Sequence, residues 1–174
     1  MVSPWIPAVL TAICAGFLDW RTRRIPNWLT VSGLVAGIAV NTVVFGWTGT
    51  KNALLGAGLG LVLLLPFVLL KSLGAGDWKL AGALGACLGP RELAAVLMGT
   101  ILVAGVMALA VVTWRGRLLQ TLGNIMRLLA ALFSLRMPGL EVSLDSAEST
   151  KIPLGVAMAF AVLFLGLGKA IGKF

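Results

Sequence analysis

The sequence contains no histidine and no tyrosine, and only two of its 174 residues are cysteines. Cys14 and Cys87 each stand alone inside an apolar run, so they do not form the paired motifs of a zinc site or a disulfide framework. Both are interpreted as small core residues. We expect neither a metal nor a cofactor, so any catalysis must come from other side chains.

Charged residues are also scarce, at 11% of the chain, whereas 59% of the residues are hydrophobic and the mean hydropathy is +1.02. Soluble domains carry about 25% charged residues, so this composition argues against a soluble fold. The chain is predicted to be one integral membrane domain over residues 1–174. Its net charge of +8 is spread over short loops, which suits anionic lipid and disfavours a nucleic-acid partner.

Six apolar stretches predict an all-α membrane protein with six transmembrane helices. Small residues recur within them at four-residue spacing, as in Gly33 and Gly37 or Gly56 and Gly60, which lets helices approach closely in lipid. The stretches cover residues 4–18, 28–45, 53–70, 77–89, 93–113 and 152–168.

The fourth stretch is short, because Leu80 to Gly89 comprise only ten residues, roughly 15 Å of helix. A span here must begin at or before Asp77, which draws that acid into the membrane. If the stretch crosses, the 14 Lys and Arg residues divide ten to four between the two sides; if it dips and returns, they divide eight to six. The positive-inside rule therefore favours six spans, with both termini outside and with Asp19 and Asp77 at the cytoplasmic face.

Residues 118–135 form an amphipathic segment, with Leu118 and Leu122 at the start of an apolar stripe. Asn124 and Arg127 lie near its middle and disfavour the alternative, a seventh span. We predict an amphipathic helix lying in the cytoplasmic interface of the membrane.

Two of the six acidic residues, Asp19 and Asp77, directly adjoin apolar stretches, whereas the others fall in short loops. A carboxylate near hydrocarbon is costly unless it is paired, protonated or facing water. One explanation is a salt bridge with a nearby Arg or Lys. The other is that the two aspartates meet and share one proton. The ionised member would then activate water, and the neutral member would protonate a scissile carbonyl.

Gly74 and Gly76 bracket the approach to Asp77 and permit backbone torsions and close approaches that other residues cannot reach. We expect an unwound, glycine-lined helix start, which a membrane tolerates only where it lines a cavity. Such a cavity can admit water and an extended peptide.

The run from Gly74 to Asp77 resembles the Gly-x-Gly-Asp motif of intramembrane aspartic proteases. With Lys79 two residues after the acid, it is similar to the version found in type IV prepilin peptidases. The match covers a second and a third segment as well. These are Asp19 followed by Arg23-Arg24-Ile25-Pro26-Asn27, and residues 152–157, with Leu154 where the family often has an aromatic residue.

The resemblance implies that Asp19 and Asp77 are the catalytic pair, facing the cytoplasm from the bacterial inner membrane. The implied substrate is a prepilin or pseudopilin precursor, from which the leader is removed. The first span starts within five residues of Met1 and no Cys-x-x-Cys pair is present. The chain therefore resembles the short form of tight-adherence (Flp) pilus systems, and we expect no N-methylation. The supporting motif positions are Gly74, Gly76, Lys79, Arg24, Pro26 and Asn27.

Several alternatives stay open at this point. Lys79 could adjust the potential at the acids, grip substrate, or mark the inner face of the membrane. Arg24 is interpreted as a topology determinant, and Pro26 and Asn27 as shaping the turn into the second span. The competing functions are a proton-coupled carrier that uses the paired acids as a relay, and a catalytically silent assembly partner. The sequence leaves the oligomeric state unknown.

Overall fold

The computed structural model describes residues 4–70, 72–114, 116 and 153–172. Over these residues the secondary structure is helical and contains no strand, which confirms the all-α fold class. The amphipathic helix predicted over residues 118–135 lies outside the described residues. The helices are α1 (Trp5–Thr22), α2 (Asn27–Leu69), α3 (Ala75–Leu88), α4 (Pro90–Trp114) and α5 (Leu154–Ala170).

The chain divides into two compact units, one formed by Met1–Val103 with Pro153–Phe174 and the other by Ala104–Ile152. The first unit holds α1, α2, α3, α5 and the first part of α4. The described part of the second unit consists of the end of α4 and Gly116. The contacts that follow all belong to the first unit.

The longest helix, α2, has 43 residues and is interrupted at Gly46, whose φ of 60° and ψ of −144° are not helical. The hydroxyls of Thr42 and Thr50 are 2.7 Å apart, although eight residues of straight helix span about 12 Å. The chain therefore reverses at Gly46, and α2 consists of two arms, residues 27–45 and 47–69.

The two arms of α2 correspond to the apolar stretches predicted over residues 28–45 and 53–70. Residues 46–52, between those stretches, are helical apart from Gly46. Glycine adopts this backbone conformation without the steric penalty of a side chain, so one residue suffices to reverse the direction. Thr48 and Thr50 then bond to the backbone oxygens of Phe45 and Gly46.

The contacts between helix termini define two ends of the first unit. At the first, called the site end, Gly155 of α5 contacts Asp19 in the last turn of α1. At the opposite end, Lys169 of α5 pairs with Glu92 of α4 and lies 5.5 Å from the centre of the Trp5 ring. Helices α1 and α5 therefore run between these two ends in opposite directions.

Helix α3 lies in the centre of the unit, and every residue from Leu80 to Leu88 is buried. It packs against α1 and both arms of α2 through small residues. A methyl group on Gly56 would lie 2.1 Å from the backbone oxygen of Gly85, and one on Gly37 would lie 2.7 Å from the backbone nitrogen of Cys87. The small residues that repeat every four positions do mark close helix contacts, as their spacing predicts.

A buried amide fixes the far end of α3. The Asn41 side chain, 3% exposed, donates to the backbone oxygens of Ala86 and Cys87 at 3.1 and 2.9 Å. The last carbonyls of a helix have no partner within it, so this contact satisfies groups that would otherwise be buried unpaired. Asn41 therefore holds the end of α3 against the first arm of α2.

The outward surface of the helices is strongly apolar. By length and composition, α2 and α4 are each able to cross a membrane, and α5 is a shorter apolar helix. Large side chains such as Val62, Ile101 and Phe164 are about 70% exposed. Water does not favour such a surface, whereas lipid does. Cys14 is also exposed, so its interpretation as a core residue is wrong, while Cys87 is buried as expected.

The contact between Gly56 and Gly85 makes a testable prediction about stability. Gly56→Ala should lower the free energy of unfolding by about 1–3 kcal/mol, because the methyl group meets rigid backbone. Unfolding in mixed micelles, followed by circular dichroism, measures this. The control is Gly58→Ala, where a methyl group meets nothing within 4 Å. Equal stability of the two variants would contradict the packing described.

Candidate active site

Asp19 lies in the last turn of α1 and is only 7% exposed. The first apolar stretch covers residues 4–18, and the helix continues beyond it to Thr22, so this acid is part of the helix. The backbone N–H of Gly155 donates a hydrogen bond to Asp19 Oδ2 at 2.9 Å. The positive charge of Arg23 is also near enough to act on the carboxylate.

Asp77 is the third residue of α3, which begins at Ala75 after an extended Gly74. The prediction that this helix starts at or before Asp77 is confirmed. The expected unwound start is wrong, since Gly76 and Asp77 are already helical. Next to the acid, the Trp78 ring N–H donates to the Leu61 backbone oxygen at 2.7 Å and fastens this turn to α2.

The structure places the two acids at the same end of the unit, although they are far apart along the chain. Ile25, which follows the end of α1, packs against Gly76, the residue before Asp77. The charge of Asp19 contributes to the electrostatic environment of the Asp77 carboxyl. Asp77 Oδ1 is buried and has no hydrogen-bond partner among the described residues. Two carboxylates in such a position repel each other if both are ionised. The arrangement favours one shared proton and leaves an oxygen free to bind water or a carbonyl group.

The described residues do not support the explanation that each acid is stabilised by a salt bridge with a nearby Arg or Lys. Neither Asp19 nor Asp77 forms an ion pair with a basic residue in the described ranges. Lys79 donates instead to the side-chain oxygen of Asn27 at 2.9 Å. This bond joins the N-terminal parts of α3 and α2. Lys79 and Asn27, two of the supporting motif positions, are therefore in contact with each other.

The two glycines before Asp77 permit close packing rather than unusual torsions. Gly74 has a φ of −67°, and Gly76 is not among the residues with positive φ. A methyl group on Gly76 would lie 3.1 Å from Ile25 Cβ, and one on Gly74 would lie 3.0 Å from Asp77 Oδ2. The part of the prediction that concerned torsions is therefore wrong, and the part that concerned close approach is confirmed.

The connection between α1 and α2 crosses this site. Arg23 adopts a left-handed conformation, with a φ of 51°, and its N–H bonds to the Asp19 backbone oxygen at 2.8 Å, which ends α1. Pro26, with a φ of −71° and a ψ of 145°, precedes the first residue of α2. Ile25 then lies over Gly76. Arg24 is exposed, and no contact in the described ranges joins its side chain to either acid.

Sequence reasoning missed the role of the Gly155 amide. Residues 152–157 were noted only as a segment that resembles a family pattern, with no contact assigned to them. The structure places the start of α5 directly on Asp19. The sequence pattern that could have indicated this contact is Pro153 followed closely by Gly155, because proline favours a helix start and glycine permits close approach of another chain segment.

Similarity to known proteins extends over more than half of the chain. The family described as the type IV leader peptidase family matches residues 6–112, which include both acids. Two proteins named prepilin leader peptidase/N-methyltransferase, from Burkholderia pseudomallei strains 1026b and K96243, are each 38% identical over 119 residues. That region is 64% of this chain and only 37% of each relative. No solved structure matches the chain significantly.

The bond between Lys79 and Asn27 can be tested by a double-mutant cycle. Lys79→Met and Asn27→Ala should each destabilise the fold, and the double variant should lose less than the sum. We expect a coupling energy of about 0.5–1.5 kcal/mol, the net value of one hydrogen bond. Unfolding free energies in mixed micelles provide the four values. Strict additivity would show that the bond contributes nothing to stability.

Proposed function

The chain belongs to the type IV leader peptidase family, and from this premise we propose that it is a membrane aspartic endopeptidase that removes the leader peptide from type IV pilin-like precursors. The observation that carries the proposal is that Asp19 and Asp77 both lie at the site end, where Ile25 packs against Gly76 and the buried Asp77 Oδ1 has no partner among the described residues. Family membership favours this function over a proton-coupled carrier.

The proposed reaction uses the two acids and one water molecule. The ionised carboxylate takes a proton from water as the oxygen attacks the scissile carbonyl, and the neutral carboxyl donates its proton to the carbonyl oxygen. Collapse of the tetrahedral intermediate breaks the C–N bond, with a proton delivered to the leaving amine. The burial of Asp19 and the lack of a partner for Asp77 Oδ1 among the described residues support this scheme, because they leave a carboxyl oxygen available to a reactant.

The proposed substrate is a prepilin or pseudopilin of the Flp class. The relatives' names include prepilin leader peptidase, which supports a precursor of this kind as the substrate. We extend only the peptidase part of those names to this chain, which spans 37% of the relatives' length. We propose no N-methylation by this chain, because Cys14 and Cys87 do not form a Cys-x-x-Cys pair.

We further propose that α1, the two arms of α2, α3, α4 and α5 provide six membrane crossings, with the site end in the cytoplasm of a bacterial cell. Exposed apolar side chains on these helices support a lipid environment. Arg21, Arg23 and Arg24 are exposed at the site end, as the positive-inside rule requires of a cytoplasmic face.

The central test of this function is leader removal by the two acid variants. Asp19→Asn and Asp77→Asn should each lower the cleavage rate by at least about 100-fold, because each removes a proton-transfer group. Each variant is co-expressed with an Flp-type precursor, and mass spectrometry determines the mature N-terminus. Insertion and abundance are measured by immunoblotting of membranes and should match the unmodified protein.

The matched control for this test is Glu92→Gln. Glu92 pairs with Lys169 at the opposite end of the unit. Removing the charge of Glu92 should therefore leave the cleavage rate unchanged. Normal leader removal by either aspartate variant would end the proposal of a two-aspartate enzyme.

The proposed orientation can be tested by single-cysteine labelling. In a background of Cys14→Ser and Cys87→Ala, Ser72→Cys should react with an impermeant maleimide only in inside-out vesicles, because residue 72 lies between α2 and α3 at the site end. Lys51→Cys, just after the reversal at Gly46, should react only in right-side-out vesicles. Labelling of both positions from one side would exclude the proposed topology.

A further inference from the structure

We propose that Gly155 is a positioning residue, whose backbone N–H holds the Asp19 carboxylate in its ionised form and so makes Asp19 the base and Asp77 the acid of the pair. The inference rests on the proposed peptidase function and assigns a different catalytic role to each of the two acids. It also gives α5 a role in the reaction, although this helix lies outside the matched residues 6–112.

The start of α5 has the properties needed to stabilise a carboxylate. Pro153 precedes the helix and Gly155 is its second residue, so the Gly155 N–H has no acceptor within the helix. The positive end of the helix dipole also favours a negative charge there. Asp19 Oδ2 accepts this N–H at 2.9 Å in a buried position, where a charge-assisted hydrogen bond is strong.

The direct hydrogen-bond donors of the two acids differ. Burial disfavours a charge on Asp19, whereas the backbone N–H groups of Gly155 and Val156 and the positive charge of Arg23 favour it. Asp77 lies in the first turn of α3, where the helix dipole favours a negative charge, but its Oδ1 receives no donor from the described residues. Since two adjacent negative charges are unfavourable, the shared proton resides on Asp77, where its O–H can donate to the scissile carbonyl.

Residue 155 has to be glycine for this contact to exist. A methyl group there would lie 2.9 Å from Asp19 Oδ2, 3.0 Å from its Cβ and 3.1 Å from its Cγ. The carboxylate can rotate away from this methyl group, but Asp19 Cβ is fixed to α1, so the start of α5 must also shift by a few tenths of an ångström. Gly155→Ala should therefore fold with Asp19 displaced from the N–H.

The test is steady-state cleavage of a synthetic precursor peptide by Gly155→Ala in proteoliposomes. We expect kcat to fall by about 10- to 100-fold with KM within about twofold, because a hydrogen bond to a charged group is lost at the reacting atoms. The acid limb of the kcat/KM–pH profile should move to higher pH by about one unit, because the ionised base loses its donor. If Asp77 were the base, the alkaline limb would move instead.

The matched control is Gly166→Ala, on the same helix. A methyl group there would lie 3.1 Å from Trp5 Cε3 of α1, so it perturbs the same pair of helices far from Asp19. Its kcat and pH profile should be those of the unmodified protein. Similar losses in both variants would assign the effect to helix packing and overturn the inference.

A second variant removes the N–H without adding atoms near Asp19. Glycolate replaces residue 155 during cell-free synthesis, which turns the amide into an ester, and it should reproduce the loss of kcat and the shift of the acid limb. Full activity of the ester overturns the positioning role, even if Asp19→Asn is inactive. If the unmodified protein cleaves no precursor, the proposed function is wrong, and this inference is wrong with it.

Discussion

Two carboxyl groups near each other in a poorly solvated site repel when both are ionised, and Asp19 and Asp77 both lie at the site end. Asp19 is accommodated by the Gly155 N–H and the charge of Arg23. Asp77 Oδ1 has no donor among the described residues. In the proposed mechanism this asymmetry gives two chemically identical side chains different roles, because the carboxyl group with donors stays ionised and can act as the base, whereas the group without them keeps the proton and can act as the acid.

The position of Asp77 depends on how α3 is held. The helix has 14 residues, about 21 Å in length, whereas the hydrocarbon core of a bilayer is about 30 Å thick. A helix this short cannot be fixed by lipid at both ends, so its neighbours must set its depth. Asn41 holds its end, Trp78 bonds Leu61 near its start, and contact with Gly56 leaves little room for sliding. The acid is therefore fixed by protein contacts.

The sequence predicts most of the helices, and it shows that Asp19 and Asp77 adjoin apolar stretches. The patterns behind both predictions are local. Apolar length, four-residue spacing of glycines, and an acid beside hydrocarbon each have a physical cause that acts within a few residues. A reversal between the second and third apolar stretches was predicted, but its position at a single residue was not, because Gly46 resembles the many glycines that only pack. The Gly155–Asp19 bond was missed for a different reason: it joins opposite parts of the chain, and no local pattern specifies which acceptor a helix start will find.

That bond also explains how an acid can be stable at this depth. The start of α5 presents N–H groups that need acceptors, and the end of α1 presents a carboxylate that needs donors. Either group alone would be unfavourable next to hydrocarbon, where no water replaces the missing partner. Because α1 and α5 run in opposite directions, they place these groups side by side, and each satisfies the other. The Asp19 site is therefore complete only when the last helix packs against the first, so its formation depends on contacts that span nearly the whole chain.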